Sequence, residues 1–327
     1  MNRLRPNNAH RAYSPAIPSV AVCVLTFLSC FPRVPVRAQD ETNSAIHVSS
    51  NLVMLDATVK NKSGQIMDNL KEDDFEVRED GAKQKIDLFS RDELPLNVAL
   101  VLDLSDSIGP FLAPLRDSAS IALASLKPVD QVALFTFSTD AEMRVQLTKD
   151  RADIAAQIGS LHAGGATNIN DGIFLAAHNF LAAQPKGRRV IILISDDVGT
   201  DAGGQGTGDI VTETIAADCS VYNLKIPGYN PPATRAYAAT IPGLVNIRKV
   251  VDATGGEIFD VQDTAHLSDV FTALLERIRT RYTLGYYTSA NGASGKPHKL
   301  DVRLTPSFGT KGKDYVVLAR NSYYFAP

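Results

Sequence analysis

Asn97-Val98-Ala99-Leu100-Val101-Leu102-Asp103-Leu104-Ser105-Asp106-Ser107-Ile108-Gly109 is the stretch that decides how the rest of the chain is read. Val98 to Leu102 is an unbroken apolar run, the pattern of a strand buried on both faces of a parallel sheet. It stops at Asp103-Leu104-Ser105-Asp106-Ser107, so oxygen-bearing side chains gather where the strand ends. Beyond Gly109-Pro110, Phe111, Leu112, Leu115, Ala119, Ala122, Leu123 and Leu126 recur at helical spacing. The polar cluster therefore belongs to a strand-to-helix loop at the carboxyl end of a sheet, the edge at which open α/β sheets bind ligands.

Asp103, Ser105 and Ser107 are spaced i, i+2, i+4, which lets one carboxylate and two hydroxyls share a small volume. Hard oxygens grouped in this way suit Mg²⁺, Mn²⁺ or Ca²⁺. The same residue types also cap helices, so the triplet alone decides nothing. Two later loops carry oxygens at corresponding places. Gly164-Gly165-Ala166-Thr167-Asn168-Ile169-Asn170-Asp171-Gly172 precedes an apolar helical pattern, and Val190 to Ile194 is a second buried-strand run ending in Ser195-Asp196-Asp197.

Taken in this order and at these separations, Asp103 with Ser105 and Ser107, then Thr167, then Asp196, resembles the metal-ion-dependent adhesion site of von Willebrand factor type A domains. The resemblance implies that Ser105, Ser107 and Thr167 ligate a divalent ion directly, Mg²⁺ or else Mn²⁺ or Ca²⁺. It implies that Asp103 and Asp196 hold the ion mainly through water. Many family members have Gly after the last Asp, where this chain has Asp197, and the side chain there is expected to face solvent.

Around these loops, apolar strand runs at Val132 to Phe137, Met143 to Leu147, Val221 to Ile226 and Glu257 to Val261 alternate with helical patterns. One of these patterns, the stripe Leu267, Val270, Phe271, Leu274, Leu275 and Ile278, sets a final helix over about Leu267 to Tyr282. The expected fold class is α/β, a doubly wound and mainly parallel sheet of the von Willebrand factor A type. Gly203-Gly204-Gln205-Gly206-Thr207-Gly208 lacks a phosphate-loop Gly-Lys-Ser/Thr and is taken as a loop beside the metal site. Gly228-Tyr229-Asn230-Pro231-Pro232 is taken as a surface loop on the binding rim.

Both flanks change to period two. Val53, Leu55, Ala57 and Val59 alternate near the start, Asp80-Gly81 joins a hairpin between Phe75 to Glu79 and Lys85 to Phe89, and Leu300, Val302 and Leu304 alternate near the end. The division expected is a signal peptide at 1–38, an N-terminal β segment and linker at 39–96, the α/β domain at 97–282 and a C-terminal β segment at 283–327, with the two β segments pairing as one small domain. Asp74 to Gly81, Tyr282 to Tyr287 and Ser322 to Pro327 resemble bacterial secreted proteins related to von Willebrand factor A domains, of the acidobacterial type.

The first 38 residues carry Arg3, Arg5, Arg11, Arg33 and Arg37 and no acid, so the remainder is more acidic than the formal charge of −3 on the whole chain. That balance argues against nucleic acid as a partner. An apolar core from about Val20 to Phe31 and Val36-Arg37-Ala38 before Gln39 read as a cleaved secretory signal, so no membrane span is expected in the mature chain. Secretion, the periplasm or the cell envelope is the expected location, and a lipoprotein at Cys30 ranks below it. Cleavage leaves Cys219 as the one cysteine, read as a buried structural thiol.

The functional expectation is a secreted protein-binding module, not an enzyme, that needs a divalent cation and captures an acidic side chain of a protein partner. A structural envelope protein with a vestigial metal site is the alternative. A metal-dependent hydrolase ranks last, because His47, His162, His178, His266 and His298 fall in no metal-binding motif and no nucleophile elbow is present.

Overall fold

A computed structural model describes residues 52–91, 94–263, 266–290, 296–305 and 314–324. The signal-peptide reading, the lipoprotein reading at Cys30 and the last three residues lie outside these. In chain order the elements are β1 (Leu52–Asn61), β2 (Phe75–Glu79), β3 (Ala82–Gln84), β4 (Leu88–Ser90), β5 (Leu96–Asp103), α1 (Leu112–Ala124), β6 (Gln131–Phe137) and β7 (Ala141–Thr148). They continue with α2 (Arg151–Ser160), α3 (Ile169–Ala183), β8 (Arg188–Ser195), α4 (Thr207–Ala216), β9 (Cys219–Lys225), α5 (Pro232–Ala238), α6 (Ile247–Thr254), β10 (Ile258–Asp260) and α7 (Leu267–Arg279). The last strands are β11 (Tyr282–Tyr287), β12 (His298–Leu304), β13 (Tyr315–Ala319) and β14 (Ser322–Tyr323).

The central sheet has the order β10-β9-β8-β5-β6-β7 and is parallel except for β7, which runs antiparallel on one edge. All eight residues of β5 are buried, as expected of a strand with neighbours on both sides and helices on both faces. β7 instead alternates between partly buried and exposed positions, the mark of an edge strand with one covered face. Val98, Leu100, Leu102, Ile192 and Ile194 pack with Leu115, Leu123, Phe271, Leu274 and Ile278 on one side of the sheet. On the other side, Ala99, Val101, Ile191 and Leu193 pack with Ile173, Phe180, Ile210 and Val250. Cys219 is buried in that second layer, where its thiol donates to the Thr214 carbonyl at 3.3 Å.

The two ends of the chain meet in antiparallel sheets, one ordered β13-β1-β11-β4 and the other β14-β12-β2-β3. Asp80 and Gly81 take φ of 48° and 88°, the left-handed pair that a two-residue hairpin turn needs, so the Asp-Gly reading holds. The hairpin's second arm is Ala82–Gln84, directly after the turn, and not Lys85 to Phe89. β3 stops at Gln84 and the chain crosses to the other sheet, where Leu88–Ser90 pairs with β11. A separate core of Val53, Leu55, Val59, Phe75, Val77 and Tyr282 joins the two flanking sheets.

The final helix covers its whole apolar stripe but ends before the expected bound at Tyr282. α7 stops at Arg279, and Tyr282 already belongs to β11, where its backbone pairs with Ala57. Its ring packs near Phe75 and Phe89, and its hydroxyl donates to the Met67 carbonyl at 2.9 Å. An apolar residue one turn beyond the stripe thus serves a different core, which periodicity does not reveal. Among the described residues no helix is long and apolar enough to cross a membrane.

Candidate functional site

β5 and β8 lie side by side, yet the chain leaves β5 for β6 on one flank and β8 for β9 on the other. This reversal opens a crevice at their carboxyl ends. Asp103 closes β5 and is fully buried. Its Oδ1 accepts the Ser105 N–H at 2.9 Å, and its Oδ2 accepts the Ser195 hydroxyl at 2.6 Å. Both oxygens are thereby fixed. The loop then turns back so that the Ser105 and Ser107 Oγ atoms stand 3.1 Å apart, before the 3₁₀ turn of Asp106–Phe111 leads into α1.

Backbone bonds lace this loop to the one that precedes α3. The Gly164 N–H donates to the Leu104 carbonyl at 2.7 Å and the Asp106 N–H to the Gly165 carbonyl at 3.2 Å. Thr167 arrives beside the serines through this lacing. Its own N–H donates to Thr200 Oγ1 at 2.9 Å, and its carbonyl accepts the Thr200 N–H at 3.0 Å.

Asp196 follows β8 and is buried. Its Oδ1 accepts the Val198 N–H at 3.1 Å, and its Oδ2 accepts Asn230 Nδ2 at 2.7 Å. Asn230 belongs to a segment that passes across the crevice. The Tyr229 N–H donates to the Ser107 carbonyl at 2.9 Å, and a Cβ placed on Gly228 would lie only 1.7 Å from Asp196 Oδ2. Only glycine lets the backbone come so near that carboxylate. A cavity of 320 Å³ remains, lined by Asp106, Ser107, Thr167, Thr200, Tyr229 and Asn230 among others.

The structure therefore brings Asp103, Ser105, Ser107, Thr167 and Asp196 to one edge of the sheet. Three neighbours escaped the sequence reading. Ser195 opens the Ser-Asp-Asp signal and Thr200 follows it by three residues, but their partners lie 92 and 33 residues away. Asn230 belongs to the stretch expected as a surface loop, and nothing in its spacing names Asp196 as its target.

Asp197 departs from expectation. Its carboxylate is partly buried and turned toward Asn223, whose Nδ2 donates to both of its oxygens at 3.0 and 2.9 Å. Burial pushes this carboxyl up to about 6, with the Asn223 bond opposing. The backbone φ of Asp197 is 65°, a conformation that favours glycine and that Asp tolerates better than most residues. The Gly203 to Gly208 stretch is anchored at the start of α3 and caps α4. The Gly204 N–H donates to Asp171 Oδ1 at 3.3 Å, Asn170 Nδ2 to the Gln205 carbonyl at 2.6 Å and the Gly206 N–H to Asp209 Oδ2 at 2.9 Å.

The electrostatics of the edge are one-sided. Burial pushes the Asp103 carboxyl up to about 7, the bonds from Ser105 and Ser195 pull it partly back, and the charge of Asp196 adds to the rise. No ion pair engages Asp103 or Asp196 among the described residues. Two buried carboxylates beside hydroxyl oxygens, with no cation of the protein's own, form a donor set that fits a hard divalent ion.

Residues 98–199 match the family model of the von Willebrand factor type A domain. Similar solved structures include a von Willebrand factor type A protein from Catenulispora acidiphila, with 12% identity over 76% of this chain and 72% of that one and a TM-score of 0.46. An aerotolerance-related membrane protein from Bacteroides fragilis shows 18% identity over 56% of this chain and 98% of that one, with a TM-score of 0.42. The von Willebrand factor domain of a type V pili tip protein from Porphyromonas gingivalis shows 12% identity over 57% and 96%, with a TM-score of 0.41. No curated protein matches the sequence.

Proposed function

The chain is a von Willebrand factor type A domain protein, and we propose that it acts outside the cytoplasm as a divalent-cation-dependent protein-binding module. The observation that carries this reading is the pair of buried, uncompensated carboxylates, Asp103 and Asp196, beside the hydroxyls that border an open cavity. In this reading Ser105, Ser107 and Thr167 would hold Mg²⁺, or Mn²⁺ or Ca²⁺ in its place, and Asp103 and Asp196 would help to hold it mainly through water. Bound there, it would offer Lewis acidity to an acidic side chain of a protein partner.

Each neighbour has a part in this. Ser195 and the Ser105 N–H hold Asp103 in one rotamer, and Asn230 does the same for Asp196. Such supporting bonds keep donor atoms in place before a ligand arrives. Tyr229, 69% exposed at the rim, offers apolar area to a partner. Export by the 1–38 segment and the division into 39–96, 97–282 and 283–327 belong to the same proposal, with the flanking β segments serving as the mount on which the binding edge is displayed.

The test is capture from native envelope extract with the full chain as bait in Mg²⁺ and in EDTA, alongside an Asp103→Ala bait. A partner retained by the unmodified chain in Mg²⁺ and released in the other two conditions supports the proposal. Equal capture in all three overturns it.

A further inference from the structure

A second group of ligand atoms lies in the flanking sheets, away from the central edge. β2 ends at Glu79, the hairpin turn begins at Asp80, and β12 begins at His298. The Lys299 N–H donates to Asp80 Oδ1 and the Asp80 N–H donates to the Lys299 carbonyl, both at 2.9 Å, so the turn is stitched to the start of β12. This stitching aims His298 Nδ1 at two carboxylates, 2.8 Å from Asp80 Oδ2 and 3.7 Å from Glu79 Oε1. One ligand atom from each of the three residues falls within 4.8 Å of the others. Donor atoms around a four-coordinate zinc ion, with bonds of about 2.0–2.2 Å, are roughly 3.5 Å apart.

The surroundings orient these atoms further. The Tyr323 hydroxyl donates to Glu79 Oε1, and Thr288 Oγ1 donates to Glu79 Oε2 at 2.7 Å. The His298 ring stacks on Tyr323 with centroids 5.4 Å apart. The side chains of Glu79 and His298 are 5% and 14% exposed, whereas that of Asp80 is 51% exposed, which leaves an approach from solvent on one side only. Glu79 is thus held by two hydroxyls and Asp80 by a backbone N–H, and ligating carboxylates in metal sites are commonly held by such hydrogen bonds.

We propose that Glu79, Asp80 and His298 form a second divalent-cation site, of the zinc class, that clips the N-terminal flank to the C-terminal flank. The imidazole selects a borderline-soft ion over Mg²⁺ or Ca²⁺. On binding, His298 Nδ1 gives up its proton to solvent, and its lone pair and the two carboxylates take the ion. Asp80 and His298 are 218 residues apart, so the clip closes the whole of the α/β stretch 97–282 into a loop. The sequence hid this site for that reason: its histidine has no metal ligand at motif spacing.

The test is Zn²⁺ titration of the full chain by calorimetry in excess Mg²⁺, which occupies the hard-oxygen edge, together with the visible spectrum of the Co²⁺ form. The expected result is one Zn²⁺ per chain, a rise in melting temperature on adding it, and intense Co²⁺ bands of a four-coordinate N/O site. His298→Ala abolishes all three, and Tyr323→Phe weakens Zn²⁺ binding roughly 10–100-fold. Undiminished Zn²⁺ affinity in His298→Ala, or the absence of those bands in the unmodified chain, overturns the proposal. The Co²⁺ spectrum needs no variant, so a failure of His298→Ala to fold leaves the test intact.

Discussion

The two ends of strands β5, β8 and β9 treat buried charge in opposite ways. At the carboxyl ends, Asp103 and Asp196 are held by neutral donors and meet no cation among the described residues. At the amino ends stand arginines whose donors are taken. Arg188 opens β8, is 5% exposed, and donates to Asp56 Oδ2 at 2.9 Å, to the Ile278 and Arg279 carbonyls at 3.1 and 3.3 Å and to Thr283 Oγ1 at 3.2 Å. Arg281 reaches Thr58, Ser220 and the Gly255 carbonyl, and Arg279 pairs with the buried Asp130. One end is saturated and ties α7 and the flanking strands to the sheet. The other is left short of positive charge. Buried charge that is fully paired is a fastening, whereas buried charge without a counter-ion is a place for something to bind.

That contrast can be broken most forcefully at the fastened end. Arg188→Met removes the only positive partner of Asp56 among the described residues, which keeps the Thr283 hydroxyl alone, and one donor each from the Ile278 and Arg279 carbonyls, and urea denaturation should show a loss of about 3–5 kcal/mol. Mg²⁺ affinity of the molecules that remain folded should not change, since the carboxyl edge lies at the other end of β8. A variant that loses metal binding as well would show that the two ends are coupled.

The Asp130–Arg279 pair sharpens the same point through pH. Burial pushes the Asp130 carboxyl up, but Arg279 and the Leu96 and Lys127 N–H groups together outweigh it and hold the carboxyl below the usual carboxylate range. A depressed folded pKa stabilises the fold above the unfolded value of about 3.9 and is lost as pH falls through the lower folded value. Asp130→Asn should therefore cost most near neutral pH, and its deficit in urea melts should shrink below about pH 4. A deficit that is constant from pH 7 to pH 3 would contradict the assignment.

A smaller effect is expected at the unpaired end. Gly228→Ala drives a methyl into Asp196 Oδ2, so either the carboxylate or the 228–230 segment has to move. Mg²⁺ affinity should fall roughly 10–100-fold, as when an orienting neighbour of a ligand is lost. Calorimetry giving unchanged affinity would show that Asp196 is not part of the donor set.

Much of this contrast is legible in the sequence at one end and hidden at the other. The carboxyl edge announces itself because Val98 to Leu102 and Val190 to Ile194 are apolar runs that stop abruptly at Asp and Ser, and a buried strand has few other ways to end. The fold class follows from the same runs and their alternation with helices. The amino edge is silent, since Arg188 and Arg281 look like ordinary surface arginines until the flanking strands are folded against them. Asp56 lies 132 residues from Arg188 and Thr58 lies 223 from Arg281. Asp197 failed for a local reason. Its left-handed backbone swings the carboxylate toward Asn223, and a residue's φ is not written in its hydropathy.

The most direct test of the account is Mg²⁺ titration of the full chain against Asp103→Ala, with unfolding measured in metal-free buffer beside it. The account predicts that the variant loses Mg²⁺ binding yet still unfolds cooperatively in metal-free buffer, because removal of a desolvated carboxyl offsets the loss of an acceptor for the Ser105 N–H and the Ser195 hydroxyl. Equal Mg²⁺ affinity in the two proteins would contradict it.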